Sequence, residues 1–65
     1  MKRYILFAGE NYSEQVGVSG FQGFYHSKSD AIYHGEEYLK QNYSVWYQVC
    51  VIENDDMKLI HENSN

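Results

Sequence analysis

The stretch SKSDAIYHGEEYLKQN, residues Ser27 to Asn42, is the one segment of this chain with the periodicity of an amphipathic helix. Ala31, Ile32, Gly35, Tyr38 and Leu39 recur at i, i+1, i+4, i+7 and i+8, which gathers them into a single stripe at the helical period. Ser27 is placed to accept from the free N–H groups of the first turn. Asp30, three residues on, is placed to reach back as in a capping box and suits the positive end of the helix dipole. Lys40 suits the negative end, and Glu36 with Lys40 forms a correctly ordered i,i+4 pair. The stop is softer, near Gln41 to Tyr43. Gly35 stands in the middle of the stripe, where glycine costs about 1 kcal/mol relative to alanine; close approach of the helix to an aromatic side chain of a sheet would account for it.

Working outward, the flanks read as strands. Ser44 to Glu53, SVWYQVCVIE, carries the clearest alternation: Val45, Tyr47, Val49 and Val51 on one face, Trp46, Gln48, Cys50 and Ile52 on the other. The first face is the more continuously apolar and is assigned to the helix, packed through Ile32, Gly35 and Leu39. Asn54, Asp55 and Asp56 read as a turn, and Met57 to Glu62 as a hairpin partner with Lys58 and Glu62 suiting an edge. Asn63 to Asn65 are expected to fray. Upstream, Arg3 to Ala8 is rich in β-formers and apolar on both faces, with Tyr4, Leu6 and Ala8 opposite Ile5 and Phe7, the pattern of an inner strand. Phe21 to His26 reads as a second strand with Phe21, Gly23 and Tyr25 on one face, and Gly23 points to a bulge or a close approach. Between them, Gly9 to Gly20 is polar and glycine-rich without a period, long enough for a functional loop. Its glycines lack the Gly-Lys-Ser/Thr of a phosphate loop and the dinucleotide spacing. The expected architecture is one α+β domain over residues 1–65, a four-stranded, largely antiparallel sheet in the order β-β-α-β-β with one helix packed on one face.

Composition narrows the function classes. Nine acidic against five basic residues give a net charge of −4, which disfavours nucleic-acid binding through a basic patch. The lone Cys50 allows no internal disulfide and fits a reducing compartment. The apolar run after Lys2 and Arg3 ends at Glu10, too early for a signal peptide or a membrane span, so a cytoplasmic protein without membrane attachment is expected. His26, His34, His61 and Cys50 form no close His-x-x-x-His or Cys-x-x-Cys pair, and no metal or cofactor is expected. On a valine-rich strand Cys50 reads as a small hydrophobe. The carboxylates Glu36, Glu37, Glu53, Asp55 and Asp56 read as solvated faces and turns rather than as an acid/base pair, which needs an enclosed cleft. No enzyme is expected.

The aromatic surplus carries more information: eleven rings, seven of them tyrosine, in 65 residues. A domain of this size buries only about 60% of the surface its unfolded chain exposes. One short helix covers one face of a four-stranded sheet, yet the first and third strands are apolar on both faces. A homodimer or larger homo-oligomer through the open face is expected, alongside a docking surface for another protein with Trp46 as first anchor and Tyr33 and Tyr12 next.

The segments MKRYILFAGENY, GFYHSKSDAIYHGEEYLKQ and WYQVCVIEND resemble those of a type of short uncharacterised protein common in phage and prophage genomes, over nearly the whole chain. The loop SEQVGVSG departs from that pattern, in which a Trp-Asp-like aromatic loop precedes the second strand. No catalytic motif comes with the resemblance. It implies a setting, since small phage accessory proteins act by binding and blocking a host or defence component. The expected function is therefore a non-enzymatic protein-binding module, a phage-type accessory or counter-defence inhibitor that occludes a host protein. The alternatives are an oligomeric binder or sponge for a small nucleotide signal, with Tyr or Trp stacked on the base, and an acidic DNA mimic.

Overall fold

A computed structural model describes residues 2–10 and 20–65. The elements are β1 (Arg3–Glu10), β2 (Phe21–Tyr25), α1 (Lys28–Gln41), β3 (Val45–Glu53) and β4 (Asp56–Ser64). The strands form one sheet in the order β2-β1-β3-β4, with every neighbouring pair antiparallel. This is the expected α+β arrangement. Because β2 and β3 both run antiparallel to β1, they are parallel to each other, and no hairpin can join parallel strands. Helix α1 is the crossover between them, which lays it over the sheet. The two strands that are apolar on both faces, β1 and β3, take the two inner positions.

Ser27 starts the helix as expected: its backbone is extended (φ −135°, ψ 153°) and its hydroxyl accepts from the Asp30 N–H at 3.2 Å. Ala31, Gly35 and Leu39 are buried against Leu6, Ala8, Val45, Tyr47 and Val49, with Ile32 and Tyr38 packed at the margin. The face of β3 beneath the helix is the expected one. Val51 is only half-buried, because a helix of 14 residues spans about 21 Å and a strand of 9 residues about 30 Å, so β3 outruns its cover. Gly35 lies directly over the Tyr47 ring: a Cβ there would stand 2.5 Å from Cε1 and 2.7 Å from Cγ. The glycine is thus the contact that lets helix and sheet close on a tyrosine.

Two local expectations change, the face of Phe21 and the extent of the turn. Phe21 does not share a face with Gly23 and Tyr25. A bulge between Leu6 and Phe7 leaves Gln22 as the extra residue on β2, so Gly23 pairs with Leu6 and Tyr25 with Tyr4, while Phe21 pairs with Phe7 on the opposite face. A second bulge places Ile60 between the pairs Val49–His61 and Cys50–Leu59. The turn is two residues, Asn54 and Asp55, both with positive φ (53° and 68°), and Asp56 already belongs to β4. That is the mirror-image turn whose twist suits a hairpin.

The chain end does not fray. β4 runs to Ser64, and Asn65 donates its backbone N–H to Val45 O at 3.2 Å while its side-chain oxygen accepts from Val45 N at 3.1 Å. Its amide nitrogen donates to Leu39 O and Asn42 O at 2.6 and 2.7 Å. With Asn42 donating to Tyr38 O at 2.9 Å, two carbonyls of the last turn of α1, Tyr38 O and Leu39 O, are each satisfied by an asparagine side chain, one from the far end of the chain. The expected soft stop is in fact a closed one.

Candidate functional site

Two surfaces carry chemistry, one on each side of the sheet. On the side away from the helix, β-strand alternation places Arg3, Ile5, Phe7 and Gly9 of β1, Phe21 and Phe24 of β2, Trp46, Gln48, Cys50 and Ile52 of β3, and their β4 partners Met57, Leu59, Glu62 and Ser64. Phe21, Phe24, Met57 and Leu59 are exposed, and no second layer covers this face among the described residues. The phenylalanines form a chain of edge contacts, Phe7 to Phe21 at 6.4 Å and Phe21 to Phe24 at 5.3 Å between ring centres. The Arg3 guanidinium sits 5.7 Å from the Phe24 ring centre. Trp46 is half-buried. Its indole lies across Gly9, where a Cβ would come within 2.8 Å of Cζ2, and its Cη2 would lie 3.6 Å from a Cβ at Gly20. The two glycines are a platform that holds the ring flat on its own sheet, so little rotamer freedom remains to be lost when something packs on it.

Tyr33 does not join Trp46. It stands on the outer side of α1, 61% exposed, with its ring edge against His34. Trp46 alternates with Tyr47, whose ring lies beneath the helix, so Trp46 and Tyr33 occupy opposite sides of the domain and one flat partner cannot reach both. Tyr12 lies outside the described residues. Phe24, Met57 and Leu59 are the members of this surface that sequence reading passed over. The signal was present for two of them. Once Asn54-Asp55 is taken as a two-residue turn, Met57 must pair with Ile52 and share its face, and Leu59 follows two residues on.

The second surface is a polar cluster where α1 meets β4. Tyr47 is fully buried, and at its tip Oη donates to Glu36 Oε2 at 2.5 Å. Asn63 Nδ2 donates to the same oxygen at 3.0 Å. His61 Nε2 lies 2.9 Å from Tyr47 Oη, and since the phenol proton is committed to Glu36, the imidazole nitrogen carries the proton and donates. Glu36 is therefore not free for Lys40. Lys40 instead pairs with Glu37 at 3.7 Å, an exposed i,i+3 contact of little energetic weight. The hydrogen bonds from Tyr47 and then Asn63 hold the Glu36 carboxyl below its ordinary value. Burial, reinforced by the Glu36 carboxylate, pushes the Tyr47 phenol upward. Burial also raises the Cys50 thiol, which keeps it protonated and poorly nucleophilic at neutral pH. The cluster fastens helix to sheet; it presents no activated nucleophile.

A pH dependence follows from its sign. A carboxyl whose folded pKa is depressed contributes stability that is present above its unfolded pKa and lost as pH falls through the folded one. The parent is expected to be more resistant to urea at pH 7 than at pH 3, and Glu36→Gln to flatten that difference. An unchanged difference in Glu36→Gln would place the acid sensitivity at other carboxylates.

Among the described residues, no group of three or more His, Cys, Asp or Glu side chains is placed to hold a metal ion, and no helix is long and apolar enough to cross a membrane. Comparison of the chain with protein-family models, with curated proteins and with solved structures returns no match.

Proposed function

We propose that this chain is a non-enzymatic protein-binding module whose contact surface is the sheet face opposite the helix. One observation carries the reading. Exposed Phe21, Phe24, Met57 and Leu59 share one face of the sheet with the fixed indole of Trp46, and among the described residues the only charged side chains of that face are Arg3, against Phe24, and Glu62, near Trp46. An apolar, aromatic patch with sparse charge is the composition of the centre of a protein interface. The resemblance to short phage proteins supplies the setting, in which the partner is a host or defence protein that the bound chain occludes. A rigid sheet face needs no chemistry of its own to act in that way.

The test is capture from lysate of the source cells with tagged parent, Trp46→Ala, Phe24→Ala and Tyr33→Ala, each first shown to be folded by circular dichroism. The parent should retain one discrete protein. Trp46→Ala and Phe24→Ala should each weaken its binding about thirtyfold, an effect of about 2 kcal/mol, whereas Tyr33→Ala, on the other side of the domain, should leave it unchanged. Folded Trp46→Ala and Phe24→Ala variants that capture as the parent does would remove this face as the contact surface. A parent that retains a nucleotide and no protein would replace the reading with the small-ligand alternative.

A further inference from the structure

Resting on the reading of the open sheet face as a protein contact surface, we propose that in the free protein a second copy of the chain occupies it, giving a twofold dimer packed sheet against sheet. A target would then compete with that copy for the same residues.

The first support is area. The domain measures 34 by 22 by 15 Å, the thin dimension being the depth of one helix on one sheet. The broad face therefore presents a footprint of about 600 Å² per copy, or about 1,200 Å² for two, which reaches the lower limit of stable protein interfaces. A contact over this face, two sheets about 10 Å apart, would cover exposed Phe21, Phe24, Met57 and Leu59 together with half-buried Phe7 and Ile52, adding apolar burial to a small core.

The second is charge. A twofold interface must be self-complementary. Arg3 stands at the start of β1, and Glu62 lies two strands away on β4, level with Phe7 of β1 through Gln48 of β3. The two charges thus lie on a diagonal of the face. A twofold axis in the interface, crossing that diagonal at its midpoint, stacks each arginine on the other copy's glutamate. The third support is the state of the edges. Both edge strands carry a bulge, at Gln22 in β2 and at Ile60 in β4, and a bulged edge is a poor template for strand addition. Self-association through the edges is blunted, and the face is left.

Sedimentation equilibrium of the full chain tests this. The parent should be dimeric at tens of micromolar. Phe24→Glu and Leu59→Glu change side chains that are 55% and 46% exposed, so both variants should fold, and each should raise the dimer dissociation constant at least about a hundredfold. Glu62→Arg should weaken the dimer about tenfold and the double variant Arg3→Glu, Glu62→Arg should restore it. A parent that stays monomeric at 100 micromolar, folded Phe24→Glu and Leu59→Glu variants that still dimerise, or a double charge variant no tighter than Glu62→Arg alone would each overturn the proposal. The two readings fail separately. A monomeric parent that captures a target through Trp46 removes the dimer and keeps the binding module; a dimer abolished by Phe24→Glu that captures nothing does the reverse.

Discussion

Gly35→Ala should lower the stability of this domain by about 2–3 kcal/mol, although the same replacement in an exposed helix raises it by about 1 kcal/mol. The opposite sign comes from Tyr47. Its ring fills the space in which the new methyl would sit, with Cγ only 2.7 Å from the Cβ position, and it cannot step aside because its hydroxyl is bound to Glu36 and His61. Helix and sheet must then separate or the ring must leave its rotamer. In a domain of this size the loss corresponds to a fall of roughly 10–20 °C in melting temperature. Urea denaturation with an unchanged m-value would show it as a native-state effect. Pairing the change with Tyr47→Leu should recover part of the loss, a coupling that a double-mutant cycle reads directly. A neutral or stabilising Gly35→Ala would mean that the ring is free to move and that the close approach has no energetic role.

Asn65→Ala should cost about 2 kcal/mol, a large effect for a residue at the end of a chain. It removes three hydrogen bonds at once, from Val45 N at 3.1 Å and to Leu39 O and Asn42 O at 2.6 and 2.7 Å, and leaves the carbonyls at the end of α1 without that partner. Asn65→Asp should be worse still. It replaces a donor by a carboxylate facing two carbonyl oxygens at the negative end of the helix dipole. Thermal denaturation followed by circular dichroism compares the three proteins. The tether also predicts hydrogen exchange in the last turn of α1 that quickens in Asn65→Ala while the centre of the helix keeps its protection. Equal stability of parent and Asn65→Ala would return the chain end to the frayed segment that its polar composition suggests.

Several features were legible in the sequence because they are local. The stripe from Ala31 to Leu39, the cap at Ser27, the double-sided apolar character of Arg3 to Ala8 and the alternation from Val45 to Val51 each need only the period of one element, and together they specify the class, the order of elements and the face of β3 that the helix covers. Even Gly35 could be interpreted, since a glycine in the middle of an apolar stripe marks a close approach.

The candidate surface depended on what lies far apart in sequence. Phe21 changed sides because a bulge at Gln22 shifts the parity of β2, and parity is a property of the pairing with Leu6 and Phe7, not of β2 alone. Glu36 left Lys40 for Tyr47 and Asn63 because a buried phenol tip demands a partner more strongly than a solvated ammonium offers one. Asn65 became a helix cap because β4 delivers it to Leu39, 26 positions earlier in the chain. Trp46 and Tyr33, both plausible anchors by composition, were separated by the thickness of the sheet and helix. Side-chain period is written in each segment by itself, whereas register, bulges and long-range hydrogen bonds exist only between segments, and so they were decided when the strands paired.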